Sequence, residues 1–295
     1  MARSDSGNRI SIQTRDLLIL NELVESRVVT TNHLAHMFFD SKLPAAYKRI
    51  GLLKSAGLIT QTRKRSITQP AILQIKRSGF NCLSERMVVD ITWKNVERHN
   101  RISDSLLLHE LALVDTKVAF VSQMQGVDNL HLVSFKTLET HLPNYSTTYL
   151  EREKCLRPDA YIHISNDSTD THFFLEIDQS TQSHRVIQEK AIAYRSYYKS
   201  GRFASRKHRK SSPPESAPFR VLFVCRTKER RDNLAASLLD IEPPVLKQCW
   251  FASIDDVTAN VLGDIWITPY EIKETRNKKR GLINSRLFPD NCDKK

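Results

Sequence analysis

The sequence predicts an α/β chain in two parts: a winged helix-turn-helix over residues 10–90 and an α/β domain over residues 91–270, followed by a basic polar tail at 271–295. Three observations predict it. Three short segments of helical period precede two short strand-like runs, which is the order of a winged helix. Further along, strand-like and helical runs alternate, as in an α/β layout. The chain is 295 residues long, with 40% hydrophobic and 26% charged residues, so each of two domains has enough apolar residues for its own core.

In the first part, Leu17, Leu20 and Val24 recur at helical spacing after Thr14, a candidate cap, and predict a helix over about 15–26. Thr31 is expected to cap a second helix with Leu34, Ala35 and Phe38 on one face. Pro44 opens a third, in which Ala46, Ile50 and Leu53 point inward, and Gly57 ends it. Residues 58–60 and 71–75 read as two strands of a wing joined by the basic connector Arg63, Lys64 and Arg65.

Charge gives this part its expected partner. From Ser41 to Ser84 there are nine Lys or Arg and no Asp or Glu, within a chain of net charge +12. Each cation beside a phosphate releases condensed counterions, so double-stranded DNA is the expected partner. The exposed residues of the third helix and wing, Lys42, Tyr47, Lys48, Arg49, Lys54, Arg63, Lys64 and Arg65, are the candidate contacts with phosphates and base edges. A protein-docking module with a solvated basic face is the alternative.

Other classes recede. No apolar run is long enough to span a bilayer and the first ten residues are too polar for a secretory leader, so the expected location is the cytoplasm, with no membrane partner. The five cysteines, Cys82, Cys155, Cys225, Cys249 and Cys292, are widely spaced and form neither a disulfide framework nor a zinc pair. Eight glycines supply no phosphate-cradling loop, so ATP or NAD use is not expected.

In the second part, residues 96–118 read as one long helix. Residues 161–164 and 172–177 read as a hairpin, and Ile187, Ala191, Tyr194 and Tyr198 mark the buried stripe of a helix over 184–198. A basic, exposed loop is expected over 199–214, then a strand at 219–224, a helix over 228–239, and strands at 250–254 and 265–267 that complete the sheet. If the hairpin pairs, Asp159 at the start of one strand and Glu176 with Asp178 at the end of the other converge, and carboxylate oxygens suit a hard cation such as Mg²⁺.

These residues resemble the PD-(D/E)XK nuclease superfamily, with Pro158-Asp159 and Glu176-Ile177 matching its motif and Asp178 standing where its lysine belongs. The resemblance implies a restriction-endonuclease-like α/β domain, a lysine supplied instead by Lys190 on the following helix, and an additional acid at Glu110. Asp159, Glu176 and Lys190 would then be catalytic, and Asp159, Glu176, Asp178 and Glu110 metal-binding. The plainer alternative is a hairpin whose acids face solvent or pair with Arg157 and Lys190. The layout is similar to the plasmid replication-relaxation family, through the winged helix and the segments at 157–162, 173–194 and 219–234. That resemblance implies a DNA-binding accessory protein of a plasmid or integrative element, acting in replication, relaxation or mobilisation beside a relaxase or replication initiator. A Mg²⁺-dependent endonuclease and a transcriptional regulator with a sensing or dimerising second domain are the alternatives.

Overall fold

A computed structural model describes residues 10–62, 71–137, 156–166, 169–208, 210–273 and 281–282. It divides into two compact units, Met1–Val118 and Ala119–Lys295. The fold is mixed α/β.

The first unit begins with α1 (Thr14–Glu25), α2 (Thr31–Phe38) and α3 (Leu43–Ser55), followed by β1 (Ile59–Gln61) and β2 (Leu73–Ile75). The two strands pair antiparallel with Ile59 opposite Ile75. Three helices and a hairpin are thus present in the expected order; the wing tip with Arg63, Lys64 and Arg65 lies outside the described residues. Each cap sits one residue earlier than expected. Gln13 precedes α1 and its backbone N–H donates to the Asp16 carboxylate at 2.7 Å, while Thr30 caps α2 by accepting from the His33 N–H at 3.2 Å. Pro44 lies in the first turn of α3, and Gly57, with φ 72°, ends it in the left-handed region that glycine tolerates.

Two short helices, α4 (Arg77–Ser84) and α5 (Trp93–His99), follow without having been expected, and α6 (Asp104–Met124) comes next. Gly79 lets α4 close onto the strand, since a Cβ there would meet the Leu58 carbonyl oxygen at 2.2 Å. The single long helix expected over 96–118 is broken at residues 100–103. There the Asn100 carbonyl accepts from the Gln74 side chain at 2.6 Å, which draws the backbone to β2 and away from the helical ladder.

Ion pairs hold the first part of α6 to α1 and α2. Lys117, buried, donates to both oxygens of Glu22 at 2.9 and 2.7 Å and to Glu25 at 3.3 Å. His33 meets Asp115 at 2.9 Å, and Arg27 meets Glu110 at 3.3 Å. Burial opposes the Lys117 charge, but the two carboxylates outweigh it and raise its pKa.

The second unit contains β3 (Leu130–Thr137), β4 (Ala160–Asn166), β5 (Thr169–Asp178), α7 (His184–Lys199), α8 (Arg202–His208), β6 (Phe219–Cys225), α9 (Lys228–Ser237), β7 (Cys249–Ser253), α10 (Ile254–Asn260) and α11 (Pro269–Lys273). The strands lie in the order β3-β4-β5-β6-β7. The first three are antiparallel and the last three parallel, so the hairpin expected between β4 and β5 forms and α7 and α9 bridge the parallel crossovers. Tyr161, Phe174, Phe219, Val221, Phe223 and Phe251 pack with Ile187, Ala191 and Tyr194 of α7, Leu234 of α9 and Leu238 just after it. The alternate residues Ile162, Phe173, Leu175, Leu222, Val224 and Trp250 are buried as well, so the sheet is covered on both faces.

Three expectations are corrected here. β3 is a strand that sequence reading passed over. Residues 265–267 do not form a full strand; Ile267 makes an isolated antiparallel bridge to Phe251. The segment expected as an exposed loop contains α8, because Phe203 and Ala204 bury against the core. In the expected polar tail, Leu282 is buried. Cys225 and Cys249 are free and buried, and burial pushes both thiols up; Cys82 is half-buried, and Cys155 and Cys292 lie outside the described residues. Among the described residues no helix is long and apolar enough to cross a membrane.

Lys117→Ala strands Glu22 in the interior, so urea unfolding should show a loss of about 3–5 kcal/mol. Replacing the pair together, Lys117→Met with Glu22→Leu, should recover most of that loss.

Candidate functional site

The β4–β5 register sets the acidic site. Ala160 lies opposite Leu175, so the next pair outward is Asp159 opposite Glu176. The Asp159 N–H donates to the Leu175 carbonyl at 2.8 Å, and its carboxylate accepts from the Ile177 N–H at 2.7 Å, which pins the side chain at the strand mouth. Like charges facing each other across a ladder repel. The counter-charge comes from α7, where Lys190 donates to Glu176 Oε2 at 2.6 Å and Tyr194, one turn on, donates to Oε1 at 2.6 Å.

Glu176 is only 2% exposed. Burial pushes its carboxyl up to about 7, Lys190 pulls the other way, and Asp159 adds to the rise. For Lys190, burial favours the neutral amine, but the charge of Glu176 and its hydrogen bond win, so the ammonium is held above its usual range. The Tyr194 phenol is pushed well up by burial and by Glu176. These groups hold one proton-rich, carboxylate-centred network at the end of β5.

Asp178, one alternation further along β5, belongs to a different pair. Arg230 of α9 grips it through two hydrogen bonds, Nε at 2.8 Å and a terminal nitrogen at 3.2 Å, and also donates to the Gln182 carbonyl. Glu110 lies in the first unit against Arg27. Of the residues expected at the site, Asp159, Glu176 and Lys190 come together, and Asp178 is turned to Arg230. Tyr194 and Arg230 were missed. Tyr194 is legible only as the residue one helical turn from Lys190, and Arg230 only through its place just after the Thr227 cap.

Among the described residues, no group of three or more His, Cys, Asp or Glu is arranged to hold a metal ion. Asp159 and Glu176 still meet the minimum donor set for Mg²⁺, which is commonly held by one or two carboxylates completed by water and substrate phosphate. They are the two residues that would hold it, and the ion would supply polarisation of a phosphate and activation of water.

The basic site lies on α3. Lys48 and Lys54 are exposed, Tyr47 is 59% exposed, and Leu43 and Leu52 stand out of the core with them. Lys54 donates to Gln61 of β1 at 2.6 Å. Lys42 is exposed, 3.6 Å from Asp40. Arg49, expected among the DNA contacts, points inward instead: its guanidinium donates to the fully buried Asp16 through Nε at 2.7 Å and to the Ser11 carbonyl at 2.8 Å. Asp16 raises its pKa, and the arginine braces α3 against α1.

The raised Glu176 value makes a direct test available. Because the folded-state carboxyl titrates above its unfolded value of 4.5, its contribution to stability falls as pH rises from there to about 7. Carbon-detected NMR of the side-chain carboxyls should place Glu176 far above the other glutamates, and Lys190→Met should move it higher still. An ordinary value, unmoved by that substitution, would show that the pair does not form.

Comparison with known proteins adds a family. No curated protein matches the chain. Among solved structures, the restriction endonuclease FokI is similar at 14% identity over 89% of this chain and 44% of that one, with a TM-score of 0.31. FokI bound to DNA gives 14% identity, 89% and 45% coverage and a TM-score of 0.29. This chain therefore spans less than half the length of those proteins. The family model described as replication-relaxation matches residues 20–210, from α1 through α8, and the chain belongs to the replication-relaxation family.

Proposed function

We propose that this protein is a DNA-binding accessory factor of a plasmid or integrative element, acting in its replication, relaxation or mobilisation, and that α3 is its duplex-reading element. The observation that carries the proposal is that α3 exposes Tyr47, Lys48 and Lys54 to solvent, with no acid nearer in sequence than Asp40. A helix bearing cations and an aromatic ring suits the major groove, where lysines reach phosphates or guanine edges and apolar atoms meet thymine methyls. Membership of the replication-relaxation family supports the biological setting.

A second reading, a metal-dependent endonuclease, is favoured by the convergence of Asp159, Glu176 and Lys190. In that reading Lys190 would stabilise the charge that develops on the phosphate.

Fluorescence anisotropy with labelled duplex DNA tests the first reading. Lys48→Ala with Lys54→Ala should weaken binding and reduce the salt slope by about 2, since each lost phosphate contact removes about 0.9. Arg49→Ala should instead lower the melting temperature of the first unit, by loss of the Asp16 pair. Incubating supercoiled plasmid with Mg²⁺ or Mn²⁺ tests the second: nicking that disappears in Glu176→Ala would make the protein a nuclease, and intact plasmid leaves it an accessory factor.

A further inference from the structure

The second unit has a cationic surface of its own, built around α8. From Lys190 to Pro214 the sequence holds eight Lys or Arg and no Asp or Glu. The helix is oriented by its apolar side: Phe203 is buried, with ring centroids 5.2 Å from Phe219 and 5.7 Å from Phe174. Lys207 and His208 are consequently exposed, and Lys199 and Lys210, both exposed, flank the helix.

A neighbouring strand adds to the same place. Lys136, exposed on the edge strand β3, lies opposite Tyr161 in the sheet register. The Lys207 ammonium stands 4.9 Å from the centre of that same Tyr161 ring. The imidazoles of His163 and His172 lie beside it, tilted to one another with centroids 4.6 Å apart, and His172 bonds the Tyr161 hydroxyl at 2.9 Å. Among the described residues, Asp170 stands with these groups, and His163 engages it at 2.7 Å.

Burial lowers the Lys207 pKa, Asp170 opposes the drop and Lys136 adds to it, while burial and then Lys207 hold His172 down to about 3. The fold thus gathers more positive charge here than its acids match, and an anion would relieve the repulsion.

We propose that the α8 face, with Lys136, Lys199, Lys207 and Lys210, binds the phosphate backbone of duplex DNA without reading its sequence. Among the described residues of the second unit, the exposed large hydrophobic ones, Val133, Val186 and Ile192, all lie outside α8. A protein interface needs a buried apolar anchor, and membrane adsorption needs an apolar face to insert, whereas phosphate asks only for charge. The proposal rests on the reading of the chain as a DNA-binding protein, but on residues other than those of α3.

The test uses the full chain and a labelled duplex of arbitrary sequence, comparing the wild type with the α3 variant Lys48→Ala/Lys54→Ala, the α8-face variant Lys136→Gln/Lys199→Gln/Lys210→Gln, their combination and a charge-preserving control. Lys207 is left in place because its ammonium stands over the Tyr161 ring. The α8-face variant should lose about tenfold or more in affinity at moderate salt, with a salt slope shallower by about 2 to 3. The charge-preserving variant Lys136→Arg/Lys199→Arg/Lys210→Arg should bind as the wild type does, which separates lost charge from lost structure. An α8-face variant with wild-type affinity and slope overturns the proposal. So does dependence on these lysines for binding anionic lipid vesicles but not for binding DNA. An α3 variant that binds as tightly as the wild type, beside a weakened α8-face variant, would overturn the reading of α3 and leave this one standing.

Discussion

The strand β5 runs between an antiparallel neighbour on one side and a parallel neighbour on the other, and its register against both decides where its own polar groups, His172, Glu176 and Asp178, fall. Side chains alternate faces with a period of two, so a slip of one residue would carry His172, Phe174, Glu176 and Asp178 to the opposite face together. The buried Phe174, packed against Tyr194 at 5.7 Å and Phe219 at 4.9 Å, makes that slip costly. Glu176 therefore reaches Lys190, and Asp178 reaches Arg230, because aromatic packing holds the ladder in place.

Four buried acids, two in each unit, each meet a cation. Asp16 has Arg49, Glu22 has Lys117, Glu176 has Lys190, and Asp178 has Arg230. Leaving any of them unpaired would cost several kcal/mol, on the order of 3–5. The net charge of +12 is accordingly not spread evenly. Exposed cations outside these pairs include Lys48 and Lys54 on α3 in the first unit and Lys199, Lys207 and Lys210 around α8 in the second, where they suit a polyanion.

Much of this was legible in the sequence, and the failures share a cause. Periodicity placed α1, α2, α3 and α7 within a few residues, and the run of β-branched and aromatic residues placed β5 and β6. The Asp159, Glu176 and Lys190 cluster was legible because it combines a strand pairing with a helix that follows directly. What escaped depended on contacts distant in sequence. Arg49 looks like a surface cation until Asp16 is known to lie beneath it, 33 residues earlier. Asp178 looks like a third ligand until Arg230 arrives from 52 residues further on. The break between α5 and α6 depends on Gln74, and α8 hid within a polar, basic stretch because only Phe203 and Ala204 signal its buried side.

The proposed use of α3 is tested most directly by photo-crosslinking the full chain to duplex DNA carrying reactive bases, with the attachment sites identified by mass spectrometry. Crosslinks at Tyr47, Lys48 or Lys54 are the expected result. Efficient crosslinking with none on α3 would contradict it.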